Sequence, residues 1–283
     1  MKLFKLLAPL FLFISCSSLA PWKSSFEVPK SEVGKGYRAL VVTTSQKTLD
    51  IIDKETGEVI EVGDKTGVYA AELTEPYYVF SDSAMKVDVA SIKGGEIPIE
   101  SFSLNWFIRT DYDDRYLEDE AFKEKVKNSL KIDDVDFNDY DIIFFAGGWG
   151  AAYDLGQSEV LGNKVSSAYK NKKVLAAVCH GPLAFAKAVK ENGEPLVKGV
   201  RLTAVTNKQV KQLFVDETPL HPEEVMISLG ANYEKKERWI EMFANRVVVD
   251  KEHRIVTGQN QRGGSETAYK ALKLMLDLKH TMN

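Results

Sequence analysis

From Tyr37 onward the chain alternates between two hydrophobic patterns. The first is a short, continuous apolar run rich in β-branched residues, the mark of a strand covered on both faces. It occurs at residues 39–43, 87–92, 142–146, 174–178, 202–205 and 246–249. The second is an apolar spacing of three and four, which predicts helices over residues 68–80, 118–130, 162–169, 182–189 and 266–278. In the last of these Ala268, Ala271, Leu272 and Met275 share one face. Strands and helices that alternate in this way predict an α/β fold, a three-layer α/β/α sandwich around a mostly parallel sheet. Gly57 and Gly63 mark a hairpin-like excursion before the first helix. No repeat and no long Pro/Gly/Ser-rich linker interrupts the pattern, so residues 37–283 are expected to form one domain.

The first residues follow a different logic. Lys2 and Lys5 precede an apolar run over residues 6–14 that is too short for a comfortable membrane span, which predicts a signal peptide over residues 1–15. Ser15-Cys16-Ser17-Ser18 follows and resembles the lipobox of bacterial lipoproteins, although Phe13 stands where Leu is usual. That resemblance implies lipidation of Cys16, a polar tether over residues 16–36 and a membrane-anchored lipoprotein of the bacterial cell envelope. The alternative is simple leader cleavage near Ala20.

Charge narrows the partners. The net charge is −4 for the full chain, and −6 for a chain beginning at Cys16, with 35 basic against 41 acidic residues once Lys2 and Lys5 are removed. Nucleic acid is not an expected ligand. Cys16 and Cys179 are the only cysteines, so a mature lipoprotein carries one unpaired thiol, Cys179. An isolated cysteine is ordinarily a small buried hydrophobe, but the neighbours of this one point elsewhere.

Residues 174–186 read as a buried strand, a tight turn at Cys179-His180-Gly181-Pro182 and the start of a helix. Such an elbow lifts its first side chain into the cleft at the carboxyl end of a sheet. A helix N-terminus aimed at the sulfur is expected to lower the thiol pKa. A second strand, residues 142–146, delivers Gly147-Gly148-Trp149-Gly150 to the same edge. Close glycines let backbone amides reach a substrate oxygen, so the amides of Gly148 and His180 are candidates for an oxyanion hole. A phosphate-binding loop is the alternative, but the spacing matches neither common nucleotide motif.

With these residues in view, the chain resembles the DJ-1/PfpI superfamily of class I glutamine amidotransferase-like domains, and within it the heat-shock glyoxalase III and chaperone branch. The resemblance runs from about Tyr37 to Lys279 and rests on residues 66–78 (beginning Thr66-Gly67-Val68-Tyr69), Ala146-Gly147-Gly148-Trp149-Gly150, Cys179-His180-Gly181-Pro182 and Val256-Thr257-Gly258-Gln259-Asn260. It implies a flavodoxin-like sheet and an acid at Glu72 that contacts Cys179 and shuttles its proton. It also implies that His180 is the general base or acid. The pattern departs in two places. Thr206-Asn207-Lys208-Gln209-Val210 carries no acid where triad-bearing relatives have one; either the site works with Cys179, His180 and Glu72 alone, or Asp216, Glu217 or a residue elsewhere takes the place of that acid, or the activity is weak or lost. Trp149 stands where relatives often carry His, and is expected to narrow the cleft or stack over a substrate.

The activity so implied is attack of the Cys179 thiolate on a small reactive carbonyl such as methylglyoxal, with no cofactor and neither glutathione nor metal required. Removal of early glycation adducts and amide cleavage through a thioester use the same nucleophile. His221, His253 and His280 are scattered, and His221-Pro222-Glu223-Glu224 reads as a helix start, so no metal site is expected. A holding chaperone, a redox sensor or a lipoprotein on an inactive scaffold are the competing classes. Trp106-Phe107 and residues 77–80 are aromatic enough to offer clients an apolar surface, though core packing accounts for them more simply. Homodimers are common among similar proteins.

Overall fold

The computed structural model describes residues 26, 28–53, 55–213, 215 and 218–282. The predicted leader, Cys16, and the candidate acids Asp216 and Glu217 lie outside the described residues.

Among the described residues the strands are β1 (Arg38–Thr43), β2 (Ile51–Ile52), β3 (Val59–Glu61), β4 (Lys86–Ser91), β5 (Leu130–Lys131), β6 (Ile142–Phe145), β7 (Val174–Val178), β8 (Arg201–Leu202), β9 (Asn232–Tyr233), β10 (Val247–Asp250) and β11 (Ile255–Gly258). The helices are α1 (Ala70–Asp82), α2 (Asp111–Glu118), α3 (Glu120–Lys127), α4 (Ala151–Asp154), α5 (Glu159–Lys170), α6 (Asn207–Gln212), α7 (Pro222–Ser228) and α8 (Gly264–Met282). Seven strands form the main sheet in the order β10-β11-β7-β6-β1-β4-β5. All of its pairs are parallel except β10 with β11.

The alternation of side chains across these strands builds a core on each face. Ala39, Val41, Phe144, Val174, Ala176 and Val178 pack with Leu73 and Phe80 of α1 and Leu272 and Met275 of α8. Leu40, Val42, Ile143, Phe145, Leu175 and Ala177 pack with Leu161 and Val165 of α5. This is the expected three-layer, flavodoxin-like sandwich. Because β1 lies between β4 and β6, the chain order reverses there, and a crevice opens at the carboxyl ends of β1, β6 and β7. The Gly57 excursion is the β2–β3 hairpin.

Several elements differ from expectation. The helix expected over residues 118–130 is the shorter α3, separated from the preceding α2 at Asp119, whose side chain caps α3 through the Phe122 amide at 3.0 Å and accepts from the Tyr78 hydroxyl. Only Arg201–Leu202 of the run over residues 202–205 is a strand, and it pairs with β9 outside the main sheet. Side chains take the next backbone groups: Thr203 N donates to Thr257 Oγ1 and Ala204 O accepts from the Tyr233 hydroxyl. The helix expected from Pro182 is a 3₁₀ segment, Gly181–Phe185, with every residue buried. The run over residues 246–249 becomes the antiparallel edge strand β10, and its partner β11 inserts beside β7.

Candidate active site

Two carboxyl-end loops and the first turn of α1 converge on Cys179. The first is the elbow itself. Cys179 has φ +59°, in the left-handed region that a side-chain-bearing residue rarely adopts. The neighbours that hold it there are identifiable: its amide donates to Gly258 O at 3.0 Å, and its carbonyl accepts from Val205 N at 3.0 Å. The bend after β7 therefore depends on β11 and on the chain following β8.

The second loop is Gly147-Gly148-Trp149-Gly150, following β6. A Cβ on Gly147 would lie 2.6 Å from Glu72 Oε2 and 2.6 Å from the His180 amide nitrogen, so only glycine lets the two loops approach this closely. Gly148 has φ +89°, and its N–H, with that of His180, faces the Cys179 sulfur and favours its anion. The expected pair of amides thus meets at the thiol.

The third contribution is Glu72, in the first turn of α1. It is fully buried and accepts from the Gly147 amide at 2.9 Å through Oε2. Its Oε1 receives no N–H or O–H among the described residues. Burial raises the carboxyl to about 8, against the opposing pull of Cys179 and the Gly147 amide, so Glu72 holds a proton at neutral pH.

The thiol is 6% exposed, and burial, then the neighbouring Glu72 charge, pushes its pKa up. This corrects the expectation of a lowered pKa. The following segment is a short 3₁₀ turn with a weak dipole, and a buried carboxyl stands opposite it. The two groups titrate as a coupled pair, with a proton available to pass between them.

His180 is 2% exposed, and its Nδ1 lies 3.5 Å from Cys179 Sγ. Burial first, and His221 second, lower it to about 3, so the imidazole is neutral at physiological pH. Its Nε2 is buried without a hydrogen-bond partner among the described residues. The segment that carries an acid in triad-bearing relatives is occupied differently here. Thr206 caps α6 through Gln209 N at 3.1 Å and donates to Glu241 at 3.2 Å, while the Asn207 amide donates to Glu223 at 2.7 Å. Glu223 and Glu241 also pair with Lys235 and Lys208. Trp149 packs its indole on His180, with ring centroids 5.0 Å apart and an interplanar angle of 58°.

Two features of the site were missed at the sequence level. The Gly147 amide, the anchor of Glu72, lay inside a motif read only for its approach to substrate. Tyr69, the residue before α1, has its phenol pushed up by burial and by nearby Glu72, Asp113 and Cys179, which places it beside the pair. Its presence in the motif beginning at Thr66 was the one available signal. Among the described residues no three His, Cys, Asp or Glu side chains come together as metal ligands would.

The sequence model of the DJ-1/PfpI family matches residues 64–274. The chain belongs to the DJ-1/PfpI family. Within it, the chain is 31% identical over 216 residues to glyoxalase 3 of Candida albicans, covering 73% of this chain and 88% of that protein. It is 30% identical over 251 residues to a probable glutathione-independent glyoxalase of Schizosaccharomyces pombe, covering 77% and 94% respectively. The crystal structure of glyoxalase III from Candida albicans superposes with a TM-score of 0.70 at 27% identity, covering 86% of this chain and 98% of that one. The family match spans β4, β6, β7 and β11 as well as Glu72, the glycine loop and the elbow.

Proposed function

We propose that this DJ-1/PfpI protein is a glutathione-independent glyoxalase acting on small 2-oxoaldehydes, with Cys179 as nucleophile, Glu72 as proton carrier and His180 as hydrogen-bond partner of the sulfur. The observation that carries the reading is a fully buried carboxyl, held by the Gly147 amide, beside a thiol on a left-handed elbow, in a chain 31% and 30% identical to a glyoxalase and a probable glyoxalase over 73% and 77% of its length.

The chemistry balances with these groups alone. Cys179 Sγ adds to the aldehyde carbon, and the thiol proton ends on the former carbonyl oxygen, giving a hemithioacetal. The amides of Gly148 and His180, which bond the free sulfur, serve in this reading as donors to the oxygen on which negative charge develops. Glu72 gives its proton to the C2 oxygen and, as the carboxylate so formed, takes the C1 proton, giving an enediol; returning that proton to C2 and recovering one from the C1 hydroxyl leaves a 2-hydroxyacyl thioester and restores the acid form of Glu72. Water then releases the hydroxy acid and restores the thiol. Oxidation at C1 is offset by reduction at C2, so electrons balance within the substrate. The test is lactate formation from methylglyoxal with glutathione omitted. Purified protein should produce it and Cys179→Ala should not; lactate from both would overturn the assignment.

A second reading, a holding chaperone, gains one observation. Trp106 is 80% exposed, and Phe102 and Phe107 are exposed beside it, in contrast to the core packing expected for Trp106-Phe107; Tyr78 and Phe80 are buried as expected. Client protection retained by Cys179→Ala but lost on replacing Trp106 would favour it.

We further propose export and anchoring through a lipidated Cys16. Lys2, Lys5, the apolar run and Ser15-Cys16-Ser17-Ser18 support this reading, and among the described residues no helix is long and apolar enough to cross a membrane. Metabolic labelling with a fatty-acid probe should mark the wild-type chain and not Cys16→Ala. A homodimer is the assembly we propose, to be checked by light scattering.

A further inference from the structure

A Cys–His pair works only while the imidazole is held with one nitrogen on the sulfur. A carboxylate on the far nitrogen usually does this. Here that nitrogen, His180 Nε2, is buried with no hydrogen-bond partner among the described residues. Two carboxylates that follow the expected place among the described residues, Glu223 and Glu241, are engaged by Asn207, Thr206 and two lysines. Among the described residues the ring is held by packing and not by a hydrogen bond at this nitrogen.

The neighbour that touches it is Trp149, tilted 58° to the imidazole with centroids 5.0 Å apart. This indole is partly buried against the core, and the backbone that carries it is anchored. Gly150 N donates to Gly67 O at 3.2 Å, and the Trp149 carbonyl accepts from Ala152 N at 3.1 Å as α4 begins. At the end of α4, Asp154 accepts from the Ser45 amide at 2.7 Å and ties the helix to the loop after β1. We propose that Trp149 is a positioning residue, which wedges the His180 imidazole so that Nδ1 stays on the Cys179 thiol, the task a carboxylate performs through Nε2 in a Cys–His–acid triad. Packing replaces an ionic hydrogen bond, and the departure from the usual histidine at position 149 and the lack of an acid in residues 206–210 become one adaptation. This assignment rests on the reading of Cys179 and His180 as a working pair.

Burial first and then His221, at the start of α7, lower His180, while the Cys179 sulfur lies 3.5 Å from its Nδ1 on the elbow and Glu72 of α1 faces that sulfur from the other element. Trp149 adds no charge to this set. Its removal acts by loosening the ring and admitting water, which returns His180 toward the ordinary histidine value of about 6.5.

Two readouts on Trp149→Ala, Trp149→Leu and Trp149→Phe test the inference. In lactate formation, Trp149→Ala should lose about 10²-fold in kcat with KM nearly unchanged, since misplacing a reacting group affects the chemical step. Trp149→Phe, which retains a flat ring, should recover most of the loss. In the second readout, the rate of Cys179 alkylation by iodoacetamide is followed against pH. The Ala variant should gain a titration limb near pH ~6.5 that wild type lacks. Trp149→Leu, bulkier than Ala but without an aromatic face, is read in the same way should the Ala variant fail to fold by circular dichroism. A rise in KM alone, with kcat and the alkylation profile unchanged, would overturn the proposal and make Trp149 a wall of the substrate cleft. Alkylation requires no aldehyde chemistry, so a wild-type protein that forms no lactate refutes the glyoxalase reading while the profile still decides the role of Trp149.

Discussion

The two sides of the site are built by different means. On the nucleophile side, Cys179, Gly147, Gly148 and Glu72 are fixed by backbone: a left-handed elbow, a glycine approach too close for any Cβ, and a carboxyl pinned by an amide. On the far side of His180, the segment from Thr206 to Ala244 is held by side chains, with Glu241 bridging Thr206 and Arg238 and Asn260 reaching Gln209 and Ala244. Backbone constraints admit few substitutions, whereas side-chain support can be exchanged for other support of equal reach. The departures from the family pattern accordingly fall on the second side and at the Trp149 contact with it.

Three substitutions sharpen this contrast, from the largest effect to the smallest. Gly148→Ala should be the most damaging. A side chain there meets the Tyr69 amide and Gly67 carbonyl at 2.4 and 2.5 Å and must also adopt φ +89°, so turnover should fall by 10²-fold or more and thermal stability should drop by about 1–3 kcal/mol. Retention of full activity would show that the loop is looser than described.

Glu72→Gln should come next, reducing turnover by about 10²–10⁴-fold. Gln keeps an acceptor for the Gly147 amide but carries no exchangeable acid. The sign of its pH effect is distinctive. Burial raises the folded-state pKa of Glu72 to about 8, above its unfolded value near 4.5, so the folded protein binds the extra proton. The associated stability is fully present below pH ~4.5 and is lost progressively as pH rises through 8. The variant should therefore lack this slope and exceed wild type in stability at pH 9, measured by chemical denaturation. A parallel pair of curves would place the titration elsewhere. Wild-type turnover should decline above pH 8 as the acid form is depleted.

Thr206→Ala, on the side held by side chains, should have the smallest effect. It removes the α6 cap and one bond to buried Glu241, costing about 1 kcal/mol, with turnover changed by no more than a few-fold. A loss comparable to that of Glu72→Gln would mean that this segment acts directly on His180.

The same contrast explains what could be read from residues alone. β1, β6 and β7 are legible because both faces are buried, and their runs are continuous. The elbow is legible because a strand, a glycine and a proline fall in order. β11 is four residues long and its partner is distant in the chain, so Ile255–Gly258 was read as a motif and not as a strand. Glu72 has no local signature, since one glutamate in an amphipathic helix resembles any other; only the family resemblance singled it out. The thiol's raised pKa depends on burial and on a carboxyl 107 positions away in the sequence, and Trp149 meets His180 through tertiary packing. Neither relation leaves a trace in local spacing.

The central claim is that Cys179 bonds covalently to the substrate carbon. Acid quenching during methylglyoxal turnover, followed by mass spectrometry of the peptide carrying Cys179, tests it most directly. The mass of one bound methylglyoxal on that peptide, removed by hydroxylamine as a thioester is and absent once substrate is consumed, is the predicted result. Sustained lactate formation with the Cys179 peptide unmodified at every time point would contradict it.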